Sequence, residues 1–219
     1  MHTCIFSLFK MASIFRPKVN LIKCSIKVGH IPSALEGIVN LKNNSLHKWF
    51  IESDRKASFI YRCADNSLVF QIFYSGHINI TGIPKELDIT HAVSTVCELI
   101  NVSKCLQETI SYTIDNIQAT GKLNLISQSK SLKELSDALN RMKLEGGWWI
   151  SRITFDTNVF PAIIIKFTAA FDNPQLSGTA LVFNNRKFVL VGLRQVSSVN
   201  LIHNYIETIM HEACCPQHW

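Results

Sequence analysis

The sequence predicts an α+β fold made of two pseudo-repeats, and three observations carry that reading. A hairpin pattern occurs twice, the same amphipathic helix pattern follows each copy, and 47% hydrophobic residues in a 219-residue chain are ample for a core. The first hairpin runs Phe73-Tyr74-Ser75-Gly76-His77-Ile78-Asn79-Ile80-Thr81-Gly82, and the second runs Phe183-Asn184-Asn185-Arg186-Lys187-Phe188-Val189-Leu190-Val191-Gly192. Each goes from Phe to Gly over the same distance, with a tight turn at Ser75-Gly76 or Asn185-Arg186 between alternating strands. Behind each glycine, apolar residues fall at matching offsets: Ile89, Ala92, Val96, Leu99 and Ile100, then Val199, Ile202, Ile206, Ile209 and Met210. That spacing is one face of an α-helix.

Upstream, each half opens with a strand pattern, Val19 to Val28 and Ile114 to Leu123. A short helical pattern follows, marked by Leu35, Ile38 and Val39 in the first half and by Leu132, Leu135 and Leu139 in the second. Ser131 with Glu134 three residues on has the form of a capping box. Further strands are expected at Ser58 to Cys63, Leu68 to Phe73, Trp149 to Phe155 and Phe160 to Phe167, with a loop around Phe171-Asp172-Asn173-Pro174. The expected organisation is a leader over 1–17, repeats over 18–110 and 111–211, and a tail over 212–219.

Alternation along the second hairpin puts Ala180 and Val182 on one face and Thr179, Leu181 and Phe183 on the other, so both faces are apolar. Helices in a chain of this length cover one face, which leaves the other for a partner. On pattern alone a sandwich or dimer core suits these strands as well.

Charge and cysteine usage narrow the classes. Lys plus Arg outnumber Asp plus Glu by 22 to 16, a net +6 that favours polyanionic partners without deciding for them. The seven cysteines form no CxxC and no regular framework, which suits a reducing compartment. The tail residues His211, Cys214, Cys215 and His218 match no standard zinc spacing and read as disordered. No apolar run reaches the roughly 20 residues of a spanning helix. Gly-rich phosphate loops, His-Glu metal helices and nucleophile-base sets are missing as well, so neither an enzyme nor a cofactor is expected, and no metal or small-molecule substrate.

These residues together resemble the saddle domain of the TATA-binding protein family. Phe160-Pro161-Ala162-Ile163-Ile164-Ile165-Lys166 is similar to that family's Phe-Pro-Gly-Leu-Ile-Tyr-Arg strand, and Leu181-Val182-Phe183 with Lys187, Val189, Leu190 and Gly192 to its hairpin. Ile72 to Gly76, Thr81-Gly82 and Ile60-Tyr61-Arg62 match in the first half, while Val19-Asn20 and Ile114-Asp115-Asn116 resemble the segments that open each repeat. The resemblance implies one curved antiparallel sheet with helices on its convex face and a concave face that binds and bends duplex DNA through the minor groove. It also implies transcription-initiation factors or a polymerase as partners, A·T-rich sites and a nuclear location, or a cytoplasmic viral factory if the chain is viral.

Carried over by position, the resemblance makes Phe73, Phe160 and Phe183 aromatic wedges between base steps. Asn20 and Asn116 become donors to base edges. Ile22, Thr81, Leu181 and Val189 would press on the groove floor, and Arg62, Lys166 and Lys187 would lie near phosphates. The same residue types also serve blander ends: Phe as core, Lys as solvated surface, Asn as turn chemistry. The first half departs from the pattern at Lys56, Gln71 and Asn79, where apolar contacts are expected, and the second at Gln118 and Val191. Asp156-Thr157-Asn158-Val159 replaces the acidic stirrup that partners grip. The departures leave a rival reading, a saddle that docks protein and has lost DNA affinity.

Overall fold

The computed structural model describes residues 17–28, 49–55, 58–63, 68–73, 75–99, 111–124, 130–145, 149–168 and 177–214. The chain forms two compact units, Asn20–Asn116 and Ile117–Trp219, the latter joined by the residues up to Val19.

The first unit holds β1 (Lys18–Lys27), β2 (Trp49–Arg55), β3 (Ser58–Cys63), β4 (Val69–Phe73) and β5 (His77–Ile83), followed by helix α1 (Ile89–Leu99). Its strand order is β2-β3-β4-β5-β1. The second unit holds β6 (Tyr112–Lys122), α2 (Leu132–Glu145), β7 (Ile150–Asp156), β8 (Phe160–Phe167), β9 (Gly178–Phe183), β10 (Lys187–Leu193) and α3 (Ser197–Cys214), in the order β6-β10-β9-β8-β7. The expected α+β class is present, and the second unit has the expected order of strand, helix, strands and helix. Two predicted strands, Ser58–Cys63 and Phe160–Phe167, fall on their expected bounds. The helix marked by Leu35, Ile38 and Val39 lies outside the described residues. Strand β2 was not predicted, since Trp49-Phe50-Ile51-Glu52-Ser53-Asp54-Arg55 lacks clean alternation.

Strand alternation sorts each sheet into a core side and an open side. In the second unit Ile117, Ala119, Ala180, Val182, Phe188 and Leu190 are buried; α2 packs on β7 and β8 and α3 on β10, and the buried stripes of the two helices include Leu135, Leu139, Val199, Ile202, Ile206 and Ile209. Each such Val, Leu, Ile or Phe side chain contributes about 1.5–3 kcal/mol by leaving water. In the first unit Ile22, Cys24, Ile26, Phe70, Ile72, Ile78 and Ile80 are likewise buried, as are Ile89, Ala92 and Val96 of α1, which packs on β5.

The capping box at α2 forms as its sequence requires. Ser131 N donates to Glu134 Oε2 at 2.7 Å, and Glu134 N donates to Ser131 Oγ at 3.3 Å. The Ser131 N–H, and next the Ser131 hydroxyl that donates to Oε2 at 2.8 Å, hold the Glu134 carboxyl below the usual carboxylate range. The reading of residues 212–219 as a tail is corrected for 212–214. Helix α3 continues to Cys214 because Ala213 and Cys214 extend its buried stripe.

The two hairpin turns are built alike. Gly76 N donates to Phe73 O and Arg186 N to Phe183 O, both at 2.9 Å, and the turn carbonyls accept in turn from Val28 N and Leu123 N, again at 2.9 Å. Gly76 (φ 80) and Arg186 (φ 63) both take the left-handed conformation that closes a turn followed by a one-residue bulge. Arg186 pays a steric cost there that Gly76 avoids.

Candidate nucleic-acid interface on the open sheet faces

Register places most of the expected interface residues on the open side. In the second unit one cross-strand row runs Thr154, Ile164, Leu181, Val189, Thr120, and a neighbouring row runs Arg152, Lys166, Thr179, Val191. Ile164, Leu181, Val189 and Thr120 are half-buried, and Lys166 is exposed. At one edge Phe183 lies opposite Ala162, and its ring meets Phe160 edge-on, with centroids 5.9 Å apart at 62°. Both rings are half-buried, and the exposed Lys187 follows the turn. The side chains predicted as two wedges thus share one aromatic cluster. Asn116 is half-buried one residue before the core residue Ile117.

The equivalent row of the first unit reads Ile60, Gln71, Asn79, Ser25, beside Arg62, Val69, Thr81 and Lys23. Arg62, Phe73 and Thr81 are half-buried on this side. The polar members are joined. Gln71 Nε2 donates to Ser58 Oγ at 3.3 Å, Asn79 Nδ2 donates to Gln71 Oε1 at 3.4 Å, and His77 Nε2 lies 3.1 Å from Asn79 Oδ1. Ser25 Oγ donates to Asp115 Oδ1 at 3.1 Å. Phe73 has His77 as its ring neighbour, tilted at 50° with centroids 5.8 Å apart. Lys56, at the place corresponding to Phe160, lies outside the described residues.

Ile22 requires a correction. It is fully buried, paired with Ile83 on the core side, and presents nothing to a groove floor. The β1 ladder shifts register between Ile22 and Lys23, as the β6 ladder does between Leu190 and Leu193. Ile22–Ile83 in the first unit therefore corresponds to Ile117–Leu193 in the second. By that register the counterpart of Asn116 is Leu21, and the exposed Asn20 stands one position earlier. A one-residue slip in a strand exchanges its faces, which is why matching by residue type put Ile22 on the wrong side.

Sequence reasoning flagged Gln71 and Asn79 as departures but not Ser58 and His77, their partners. The signal was present in the alternation of β3 and β5, yet it needed the cross-strand register to read. Among the described residues no cluster of three His, Cys, Asp or Glu side chains is placed to hold a metal, and no helix is long and apolar enough to cross a membrane. Cys24 is buried beside Asp115, and burial first, then that carboxylate, pushes its thiol up to about 11.

Residues 16–102 match the family described as transcription factor TFIID, or TATA-binding protein. The TATA-binding protein of Methanococcus jannaschii is similar to the chain in structure, with a TM-score of 0.61 at 18% identity, covering 90% of this chain and 99% of that one. The chain has the fold of the TATA-binding protein. The heterotetrameric sarcosine oxidase of Corynebacterium sp. U-96 aligns with a TM-score of only 0.33 at 5% identity, over 94% of this chain and 87% of that one, and carries no argument. No curated protein matches the sequence. The TATA-binding-protein-like family match stops within the first half, although the second unit holds the aromatic pair.

Proposed function

We propose that the protein is a DNA-binding transcription-initiation factor whose open sheet faces bind the minor groove and bend the duplex. The observation that carries this is the Phe160–Phe183 pair on the open side, with the exposed Lys187 just after the turn and the exposed Lys166 toward the far end of β8. Two aromatic rings at the rim of an apolar row of Ile164, Leu181 and Val189 are suited to enter a base step, while the lysines meet phosphates. In this reading Phe73 is a wedge of the first unit, Asn116 and Asn20 donate to base edges, Thr81, Leu181 and Val189 press on the groove floor, and Arg62 lies near the backbone. A·T-rich duplex is the expected ligand, initiation factors or a polymerase the expected protein partners, and the nucleus the expected compartment. No catalytic group is invoked.

Fluorescence anisotropy with A·T-rich and G·C-rich duplexes at two salt concentrations tests this. Affinity should fall with salt, favour A·T, and be lost in the Phe160→Ala/Phe183→Ala variant. Absence of binding even at low salt would sink the proposal. A second reading, an interaction module that docks protein on these faces, is favoured by the hydrogen-bonded polar row of the first unit, and it would then stand.

A further inference from the structure

Resting on the minor-groove reading, we infer that the two units differ in base preference, and that Gln71 and Asn79 make the first unit tolerant of G·C pairs. In the minor groove an A·T pair offers only acceptors, whereas a G·C pair adds the guanine 2-amino donor. Leu181 and Val189 cannot accept a hydrogen bond, so a guanine amino group pressed against them loses its water and gains nothing. At the corresponding positions Gln71 and Asn79 carry amide oxygens. Each oxygen uses one lone pair within the row, Gln71 Oε1 toward Asn79 Nδ2 and Asn79 Oδ1 toward His77 Nε2. A second lone pair on each remains to accept a guanine amino group, and the second amide hydrogens serve the acceptors of an A·T pair. The ladder from Ser58 to His77 fixes the amides in place, so the acceptors are held before DNA arrives.

The test uses the full chain and three duplexes: A·T throughout the site, G·C pairs in one half, and G·C pairs in both halves. Because the protein can bind a duplex in either direction, the half-substituted site should bind within about threefold of the A·T site, with the tolerant unit over the G·C half. Substitution in both halves should cost about ten- to a hundredfold. The Gln71→Leu/Asn79→Val variant, which copies the second unit's residues, should lose about tenfold or more on the half-substituted site. Replacing guanine by inosine, which removes only the 2-amino group, should restore it. Thermal melting of the variant shows whether it is folded, and the wild-type comparison of half-substituted with A·T sites stands without any variant. If the wild type binds A·T sites but loses tenfold on the half-substituted duplex, the inference is overturned while the DNA reading survives. If no duplex binds, the DNA reading itself has failed.

Discussion

The two units use one scaffold for two surfaces, and the contrast shows which positions the fold holds fixed and which it leaves to function. The turns close with the same hydrogen bonds, and the core side carries large apolar residues in both. On the open side the row Ile164, Leu181, Val189 of the second unit has as its counterpart in the first the row Ile60, Gln71, Asn79, and the aromatic partner of the turn phenylalanine is Phe160 in one unit and His77 in the other. Core positions resist polar substitution because an unpaired buried polar group costs about 1–3 kcal/mol. Open-face positions carry no such penalty until a ligand covers them, so they record what the ligand demands.

The largest effect expected from this contrast is on DNA binding. Removing Phe160 and Phe183 together should weaken binding at least about a hundredfold, as loss of two desolvated aromatic anchors implies. Phe73→Ala should cost under about tenfold, since its neighbour is an exposed histidine and its surroundings are polar. Equal losses, measured by anisotropy on one A·T duplex, would break the asymmetry and restore two equivalent wedges.

Next in size is a core difference hidden behind the shared pattern. Ile26 pairs with Ile78 in the first unit, and the corresponding pair in the second is Gly121 with Phe188. A Cβ on Gly121 would stand 2.5 Å from the Phe188 ring, so the glycine is the space the ring occupies. Gly121→Ala should therefore lower stability by about 1–3 kcal/mol, and pairing it with Phe188→Ile should recover part of the loss. Thermal melting decides it, and full additivity of the two changes would refute the complementarity. Smaller again is Ser131→Ala, which removes one half of the α2 capping box and should cost about 1 kcal/mol.

How much of this was legible in the sequence depended on how local the cause was. The capping box, the hairpin turns and the amphipathic helices α1, α2 and α3 rest on neighbours within one or two turns of chain, and they were read correctly. The Phe160–Phe183 cluster was found by resemblance and then brought together by the register. Ile22 failed because it was assigned by resemblance in residue type, one position out of step, whereas the alternation of Ile22, Cys24 and Ile26 along β1 puts it on the core side. The Ser58, Gln71, Asn79, His77 ladder was invisible because its members come from three strands and meet only across them. Strand β2 lacked the alternating signal because its sequence mixes Glu52, Asp54 and Arg55 with apolar residues.

The smallest expected effect also separates the units, and it is a pH effect. His203 on α3 is buried, stacks on Phe188 with centroids 5.1 Å apart at 22°, and has Nε2 3.5 Å from Glu207 Oε1. The hairpin offset puts Val93 of α1 at the matching place, an apolar residue with nothing to titrate. Burial lowers the pKa of His203, and the Glu207 carboxylate opposes that shift only in part. A histidine whose folded pKa lies below its unfolded value binds its proton more readily in the unfolded chain, so its contribution is whole above about pH 6.5 and declines as pH falls below that. Acid should consequently loosen the second unit before the first, read as earlier loss of amide protection in α3 than in α1 by hydrogen exchange between pH 7 and pH 5. His203→Val, which copies the first unit, should flatten that dependence, and a variant with an unchanged pH slope would show that the acid sensitivity arises elsewhere.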